Sequence, residues 1–337
     1  MLQLRNPTGL AGLLFAAPDV NGVDTLYTIV KGTFDLRRSL ALADEQVPVI
    51  PAAKHYDDPA TTSIRVPGDV TLEKLATDVL VIGTAYAPDG KRTWQMDVSV
   101  RVGPVSKTLR VSADRRWDRS ASGYTAAWVA PFERMPLTWE RAFGGTQKTA
   151  TGSVAELRNP VGVGFHVPEG DGTPLGTPLP NVEDPRVPLT STEDRPPPAG
   201  CAPIAAHWEP RRSYAGTYDE AWQQRRAPYL PTDFDARFLQ LAPPGLVTPG
   251  YLHGGEPVEL RGLTASGTLS FTLPRARIST TYVFDSVRET RTANLDTVLI
   301  EPDAGRLVLV WRSGLTCDKK LLKVREVVIG AEAGAIL

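Results

Sequence analysis

Hydrophobic and polar positions alternate with the two-residue period of a β-strand near both ends of the chain. Residues 24–36 carry apolar or small side chains on one parity and follow the turn residues Asn21-Gly22. Residues 269–273 alternate in the same way, and residues 321–329 predict a final strand. Both ends of the chain are therefore expected to be strand-rich.

Two strands in the first third are separated by a turn sequence. Residues 79–87 form a nearly continuous apolar run, residues 94–102 alternate, and Pro88-Asp89-Gly90 lies between them. Proline presets one turn dihedral angle and glycine accepts a positive one, so the segment predicts a hairpin. A further strand is expected at residues 105–111, and the first third is expected to form an antiparallel meander.

The last third has its own hairpin pattern. Residues 296–301 and 306–312 are joined by Pro302-Asp303-Ala304-Gly305, a typical turn sequence. Helical patterns are scarce. Thr217-Tyr218-Asp219-Glu220 has the form of a capping box and predicts a short helix that ends before Pro228.

The middle of the chain is rich in proline and tryptophan. Twenty of the 30 prolines lie between Pro131 and Pro257, and five of the 7 tryptophans lie between Trp117 and Trp222. Solvated linkers seldom carry so many large aromatic residues. We therefore predict an ordered, irregular region anchored by aromatic side chains, and long ordered loops usually carry function.

These patterns predict a mainly β protein, an antiparallel β-sandwich or two packed sheets with a long ordered loop-rich middle and little helix. Each sheet is expected to bury one face and leave the other solvated. We expect a single domain over residues 1–337. Its parts are a meander at 1–117, the Pro/Gly/Trp-rich loop region at 118–257, and strands at 258–330.

Charge and cysteine content narrow the function classes. The chain has 37 basic and 38 acidic residues, which disfavours direct binding of nucleic acid or of an anionic membrane. No apolar run approaches the roughly 20 residues of a membrane span. Cys201 and Cys317 form no disulfide framework, so a reducing compartment is the simplest interpretation, with one bridge as the alternative. The protein is expected to be cytoplasmic.

Familiar catalytic and metal patterns are weak. The histidines His55, His166, His207 and His253 lack the spacing of a metal site, so no metal is expected. Cys201 and His207 are conceivable as a nucleophile pair, although spacing alone does not support it. The glycine-rich segments at 143–145 and 159–165 lack the lysine and hydroxyl of a phosphate-binding loop and are interpreted as tight turns.

Carboxylates could run glycoside hydrolysis if two of them converge. Four candidates are Glu133, Glu140, Glu183 and Asp233. Acids of this region also have arginines close by in sequence, namely Arg134, Arg141, Arg186 and Arg237. Salt bridges that order the loops are therefore the favoured interpretation.

The remaining candidates are aromatic and arginine residues, which dominate protein-interface hot spots and also fasten loops to a scaffold. We predict that they organise the loop region or bind a partner, without catalytic residues or a cofactor. They are Trp139, Arg141, Trp208, Arg211, Tyr218, Trp222 and Asp233.

Taken in order, several motifs resemble a bacterial family, the domain-of-unknown-function family twenty-one sixty-nine. The resemblance covers nearly the whole chain. Its motifs are Val30-Lys31-Gly32-Thr33-Phe34-Asp35, Gly68-Asp69, Lys74, Thr77-Asp78-Val79-Leu80-Val81, Asp114-Arg115-Arg116-Trp117, Pro136-Leu137-Thr138-Trp139-Glu140-Arg141-Ala142-Phe143-Gly144-Gly145, Asn159-Pro160-Val161-Gly162, Leu179-Pro180-Asn181-Val182-Glu183, Pro198-Ala199-Gly200-Cys201-Ala202-Pro203-Ile204, Trp208, Gly216-Thr217-Tyr218-Asp219, Trp222 and Pro228-Tyr229-Leu230-Pro231-Thr232-Asp233-Phe234.

The resemblance implies a non-enzymatic adaptor, or chaperone, of type VI secretion. Such a protein holds a secreted effector and helps to load it onto the spike, whose VgrG and PAAR-repeat proteins are the expected further partners. The resemblance supplies no catalytic residues and implies no cofactor. A carbohydrate-active β-sandwich hydrolase that uses a carboxylate pair stays open as the alternative.

Overall fold

The computed structural model describes residues 2–121, 123–168, 173–285 and 287–331, and it leaves out the side chains of residues 318 and 319. The protein is mainly β with several packed sheets, as predicted. The strands are β1 (Gln3–Arg5), β2 (Ala11–Pro18), β3 (Asp24–Asp35), β4 (Ala41–Leu42), β5 (Lys54–His55), β6 (Ile64–Val66), β7 (Asp78–Val81), β8 (Thr84–Tyr86), β9 (Gln95–Val102), β10 (Val105–Ser112), β11 (Asp114–Ser120), β12 (Gly123–Ala130), β13 (Arg134–Pro136), β14 (Phe143–Gly144), β15 (Thr146–Thr149), β16 (Gly152–Ala155), β17 (Val163–Gly164), β18 (Val182–Glu183), β19 (Pro257–Arg261), β20 (Thr268–Thr272), β21 (Ile278–Val283), β22 (Arg288–Thr292), β23 (Asn294–Glu301), β24 (Arg306–Thr316) and β25 (Glu326–Ala331).

Helical structure in the described residues is short. The α-helix α1 spans Glu220–Arg225, close to the predicted position. Its N-cap is Asp219, whose carboxylate accepts from the amide of Trp222, and not the Thr217 of the predicted capping box. The 3₁₀ turns are Pro88–Gly90, Trp139–Arg141, Arg211–Tyr214, Ala236–Leu239 and Asp318–Lys323.

The central sheet joins the two ends of the chain. Its order is β2-β3-β24-β23-β7, with β4 added to β3. The long ladder between β3 and β24 runs from Thr25 opposite Thr316 to Asp35 opposite Arg306. The strand-rich first and last thirds therefore contribute the strands of one sheet. The middle of the chain is a long segment inserted between those strands.

Both faces of the central sheet are buried, contrary to the expected solvated face. On one face of β3, the hydroxyls of Thr28 and Tyr282 lie 3.1 Å apart, where the sheet β1-β25-β21-β22 packs. On the other face, Lys31 reaches Asp69. Both parities of β3 mix apolar and polar residues, and the buried polar side chains of Thr28, Lys31 and Thr33 have hydrogen-bond partners.

The predicted hairpin of residues 79–87 with 94–102 is wrong. β7 pairs in parallel with β23, and β8 pairs with β13. β9 instead pairs with β10 and β19 in a five-stranded sheet of order β18-β10-β9-β19-β20. Continuous burial of β7 is typical of a strand covered on both faces, and such a strand finds its partners by packing rather than by a local turn. Antiparallel pairing of sequence neighbours in the first third is therefore found in two places, between β9 and β10 and among β2, β3 and β4.

The second hairpin is confirmed, because β23 and β24 pair antiparallel across the predicted turn. The last predicted strand, residues 321–329, is confirmed only from Glu326 onward as β25, because residues 321–323 lie in the 3₁₀ turn Asp318–Lys323. β20 lies one residue from its predicted position. A large hydrophobic core joins the central and five-stranded sheets, with Val30, Val100 and Leu309 among its members. Burial of each such side chain contributes about 1.5–3 kcal/mol.

A network of buried charges lies against the central sheet. It contains three cations, Lys31, Lys74 and Arg312, and three carboxylates, Asp69, Asp78 and Asp296. Lys31 binds Asp69 at 2.7 Å, Lys74 binds Asp78 at 2.8 Å, and Arg312 binds Asp296 at 2.6 Å. Each buried cation therefore has a carboxylate partner, which offsets part of the cost of removing both groups from water.

Asp78 is the most heavily bonded member of this network. Its carboxylate accepts from Lys74 Nζ, from Gln240 Nε2 at 2.9 Å, and from the amides of Leu241 at 2.9 Å and Ala242 at 3.1 Å. The first strand residue of β7 thereby holds the end of the loop region on the central sheet. Asp78 and its partners at residues 240–242 are more than 160 residues apart in the sequence.

The described helices are all too short to cross a bilayer, and none of them is a candidate membrane span. Cys201 and Cys317 are both free and buried, so the disulfide alternative is wrong. In the described residues, no group of three or more His, Cys, Asp or Glu side chains could hold a metal ion.

Candidate functional site

The seven predicted site residues fall into three places. Trp139 and Trp208 lie in a tryptophan cluster, whose members are Ile64, Trp139, Ala142, Ala202, Ile204, Ala205 and Trp208. Arg211 lies beside this cluster. Tyr218, Trp222 and Asp233 belong to an aromatic lobe, residues 216–234, and Arg141 lies against β10 and β11.

The two tryptophans of the cluster are structural supports. Trp139 is 2% exposed and Trp208 is fully buried, with ring centroids 6.2 Å apart and planes at 87°. The indole N–H of Trp139 donates to the carbonyl of Pro203 at 3.0 Å, so its polar atom is satisfied inside the core. These residues hold the segment near Pro203 against the turn Trp139–Arg141 and are covered from any partner.

The glycine-rich segments support this cluster. Residues 159–162 form a tight turn, as predicted, in which the Gly162 amide donates to the Asn159 carbonyl at 3.3 Å, whereas residues 143–144 form β14. The side-chain amide of Asn159 donates to the carbonyls of Trp139 at 2.8 Å and Phe143 at 3.0 Å. At Gly144, with φ of +151°, a Cβ would lie 2.1 Å from the Asn159 carbonyl oxygen. Only glycine allows this approach. Because Gly144 has no side chain, β14 can lie against Asn159 and pair in parallel with β17.

Arg211 connects the tryptophan cluster to the end of the loop region. Its guanidinium donates to the carbonyl of Ile204 at 2.6 Å and of Phe238 at 2.9 Å, and lies 5.1 Å from the Phe238 ring centroid. Burial lowers the pKa of Arg211 to about 10, which leaves it charged at neutral pH. Its role is to organise loops.

Arg141 has a similar role at another place. It donates to the Asn181 side chain at 3.0 Å and lies 3.6 Å from Asp114, while 39% of its side chain is exposed. Asn181 in turn donates to the carbonyl of Ser112 at 3.1 Å. This bridge fixes β18 beside the end of β10, and a cavity of about 500 Å³ opens next to it.

The aromatic lobe presents the exposed members of the predicted set. Tyr218 is 54% exposed, and its ring centroid lies 4.8 Å from that of Trp222 in an edge contact. The Trp222 indole donates to the carbonyl of Tyr229 at 2.8 Å, and Tyr229 is itself 39% exposed. An exposed aromatic group is thus held in one orientation by α1 and its flanking loop.

Asp233 closes the aromatic lobe. Its carboxylate accepts from the Thr217 amide at 3.0 Å and hydroxyl at 2.7 Å, which joins the two ends of the lobe. These hydrogen bonds lower the pKa of Asp233. A cavity of about 460 Å³ lies between α1 and this closure, lined by Trp222, Arg225 and Asp233 among others.

Three of the four candidate carboxylates have partners, and those partners differ from one carboxylate to the next. Glu140 accepts from the Ser63 amide at 2.7 Å and hydroxyl at 3.0 Å. Glu183 is buried and pairs with Arg115, and Asp233 closes the aromatic lobe. Glu133 is exposed. The partners of Glu140 and Glu183 differ from their sequence-adjacent arginines.

The local arginine pairing predicted from sequence is found at two acids. Arg186 pairs with Asp184 at 2.6 Å, and Arg237 pairs with Asp235 at 2.5 Å. The Arg186 hydrogen bond lowers the pKa of Asp184 to about 2. These exposed pairs order their own turns and add little to global stability.

Cys201 is placed unsuitably for nucleophilic chemistry. Its side chain is fully buried, and burial raises the pKa of its thiol to about 12. His207 accepts at Nε2 from the Trp208 indole at 2.9 Å, which occupies that ring nitrogen. The pair therefore lacks an available thiolate.

We expect the native protein near pH 8 to react with DTNB only slowly, because Cys201 and Cys317 are buried and their pKa values are raised. Both thiols should react at once after unfolding in guanidinium chloride. The absorbance of the released thiolate measures both rates. Rapid reaction of one thiol in the native protein would contradict this placement.

Sequence reasoning missed two features of the structure. One is the buried charge network, although Asp69, Lys74 and Asp78 stand among the motifs that carried the resemblance. The other is the exposed pair Trp94 and Trp128, with ring centroids 5.7 Å apart. The alternation of apolar residues in β12 could have indicated a strand there, but not its exposure.

Comparison with known proteins gave one informative match. Searches of curated proteins and of solved structures returned no match. A family model described as "Uncharacterized protein conserved in bacteria (DUF2169)" matches residues 21–312. This range includes the central-sheet strands β3 and β23, the loop region and all seven predicted site residues. The chain therefore belongs to this bacterial family, in agreement with the motifs found in its sequence.

Proposed function

We propose that the protein is a cytoplasmic, non-enzymatic adaptor that binds a type VI secretion effector and helps to load it onto the VgrG and PAAR-repeat spike. The observation that carries the proposal is the aromatic lobe, an exposed aromatic group on a rigid support. The secretion context comes from the resemblance in the sequence motifs.

The aromatic lobe is suited to protein recognition because its tyrosines and tryptophan are already ordered. Trp222 and Tyr229 are held by a hydrogen bond, and Asp233 closes the loop on Thr217. Preordered aromatic side chains lose little conformational entropy on binding. Aromatic and arginine residues are also the common hot spots of interfaces, and exposed Arg225 lines the adjoining cavity.

The tryptophan cluster supports this surface from within. Arg211 begins the 3₁₀ turn Arg211–Tyr214 that leads into the lobe, and it is fixed by the carbonyls of Ile204 and Phe238. Asp235 N donates to the Tyr214 carbonyl at 3.0 Å on the other side of the lobe. Both ends of residues 216–234 are thereby attached to buried structure, and a partner would meet a fixed shape.

Affinity purification tests the proposal. The full-length chain would be tagged in a bacterium that expresses both the protein and a type VI secretion machine, and the bound proteins would be identified by mass spectrometry. We expect one toxin-like protein together with spike components. Recovery of the tagged protein alone from such cells would contradict the adaptor function.

A variant of the lobe separates recognition from folding. Tyr218→Ala should reduce recovery of the bound effector by about tenfold or more, because it removes an exposed aromatic anchor. Its melting temperature should stay close to that of the unaltered protein, since Tyr218 makes no described side-chain hydrogen bond. Tyr56→Ala, at a tyrosine that is 45% exposed outside the lobe, is the matched control. Equal recovery with Tyr218→Ala and Tyr56→Ala would exclude the lobe as the binding surface.

A further inference from the structure

β12 is an open edge strand within the described part of the chain. β11 pairs on one side with β12 and on the other with residues 176–179, through bonds such as Trp117 N to Thr177 O at 3.0 Å. Among the described residues, β12 pairs only with β11. Alternate backbone N–H and C=O groups of such a strand point outward and can pair with another chain.

The side chains of β12 do not protect this edge. Natural edge strands are commonly guarded by charged residues or proline. β12 contains neither, and its sequence is GYTAAWVA. Seven of its eight residues are exposed, which is unusual for an uncharged strand.

One face of the β11–β12 hairpin is buried at Trp117 of β11 and exposed at Trp128 of β12. The register places Trp117 opposite Ala126, on the face that also holds Tyr124 and Trp128. Trp117 is 1% exposed and packs with Phe143 and Leu179, whereas Trp128 is 46% exposed.

Trp94 extends the exposed part of this face. It contacts Trp128 and is 47% exposed, and Tyr124 on the same strand face is 36% exposed. These rings therefore form an apolar ledge beside the open edge. An added strand would cover the ledge with its alternate side chains and would pair its backbone with β12 at the same time.

The charges of the hairpin indicate the chemistry of the occupant. Arg115 pairs with Glu183, and Asp114 pairs with Arg141. Within the described residues, Arg116 and Arg119 have no side-chain hydrogen bond or ion pair. The carboxylate of Asp118 accepts only the amide of Arg119.

Among the residues that the structure describes, the hairpin thus keeps two cations, Arg116 and Arg119, without a carboxylate partner, and one carboxylate, Asp118, without a cation partner. A second copy of the chain would bring the same excess of positive charge to the edge, whereas an acidic segment would complement it.

We propose that β12 binds an extended, acidic segment of a partner protein as an added β-strand, with apolar side chains of that segment packed on Trp94 and Trp128. This surface is separate from the aromatic lobe in sequence and in its contacts, and the proposal does not rest on the adaptor function.

Synthetic peptides test this proposal with the full-length protein. The probe is a fluorescein-labelled peptide of about nine residues, with valine and threonine alternating and two glutamates at each end. A matched peptide carries lysines in place of the glutamates. Fluorescence anisotropy should show binding of the acidic peptide that is about tenfold or more tighter than that of the basic peptide. Hydrogen–deuterium exchange should slow within residues 123–130 when the acidic peptide binds.

Variants identify the strand and the charges. Ala126→Glu should weaken binding of the acidic peptide about tenfold, while Ala126→Gln, of the same size, should weaken it much less. The double variant Arg116→Glu with Arg119→Glu should reverse the preference in favour of the basic peptide. Tyr218→Ala, in the aromatic lobe, should leave peptide binding unchanged, which keeps this test separate from that of the adaptor function.

Three results would overturn the proposal. The first is absence of binding by both peptides, because strand addition relies mainly on backbone hydrogen bonds. The second is slower hydrogen–deuterium exchange in other segments on peptide binding, without slower exchange in residues 123–130. The third is concentration-dependent dimerisation in sedimentation velocity that Ala126→Glu abolishes, which would assign the edge to a second copy of the chain.

Discussion

Asp78→Ala is expected to lower the free energy of unfolding by about 3–5 kcal/mol, the range observed when one partner of a buried ion pair is removed. The substitution leaves the ammonium group of Lys74 buried without its carboxylate at 2.8 Å. It also leaves the amides of Leu241 and Ala242 and the Gln240 side chain without their acceptor. Denaturant unfolding followed by circular dichroism would show the midpoint moving to lower denaturant.

Two further variants make this result interpretable. Asp97→Ala removes an exposed pair with Arg110, 2.9 Å apart, and should change stability by less than about 1 kcal/mol. Asp78→Asn keeps the shape of the side chain, so it isolates the charge and offers a variant that folds if the alanine variant does not. Equal losses for Asp78→Ala and Asp97→Ala would show that the network contributes no more than a surface pair.

Trp139→Ala is expected to cost about 3–5 kcal/mol of stability, as for other large buried aromatic residues. The indole is 2% exposed, stands edge-on to Trp208, and lies where a Cβ on Gly200 would be only 3.1 Å away. Its loss creates a cavity and leaves the carbonyl of Pro203 without its donor. The expected measurement is a lower midpoint of chemical unfolding, together with easier proteolysis of the loop region in the native protein.

Trp94→Ala is the matched control. That tryptophan is 47% exposed, so its removal takes away fewer packing contacts than the removal of a buried tryptophan. We expect a change of about 1 kcal/mol or less. A loss at Trp139 no greater than that at Trp94 would mean that the tryptophan cluster is not a support for the loop region. The aromatic lobe would then lack the fixed base on which the proposed recognition depends.

The strand content was predictable because a β-strand shows in the local sequence as a two-residue alternation bounded by turn residues. Residues 24–36 correspond closely to β3, and the turn at Pro302 joins β23 to β24 as expected. The run at residues 79–87 was recognised as extended, yet its partner was wrong. β7 lies beside β23, more than 200 residues away, and no local turn specifies such a pairing.

The candidate site was predictable in its composition but not in its roles. Trp139 and Tyr218 belong to the same class of aromatic candidates, and both lie within the residues that the family model matches. One is buried beneath the loops and the other is 54% exposed. Exposure depends on what packs over a residue, and here that depends on distant elements such as the segment near Pro203.

By itself, the sequence determined that the chain is rich in strands at both ends, carries an aromatic, ordered middle, and belongs to its bacterial family. Local alternation, turn chemistry and ordered motifs are sufficient for those conclusions. Only the tertiary structure decided which strands meet, which charges are buried together, and which aromatic residues are exposed. Asp78 illustrates the reason, because its four hydrogen-bond donors come from residues as near as Lys74 and as far as Ala242. Such contacts depend on long-range packing, which the local pattern of a sequence does not record.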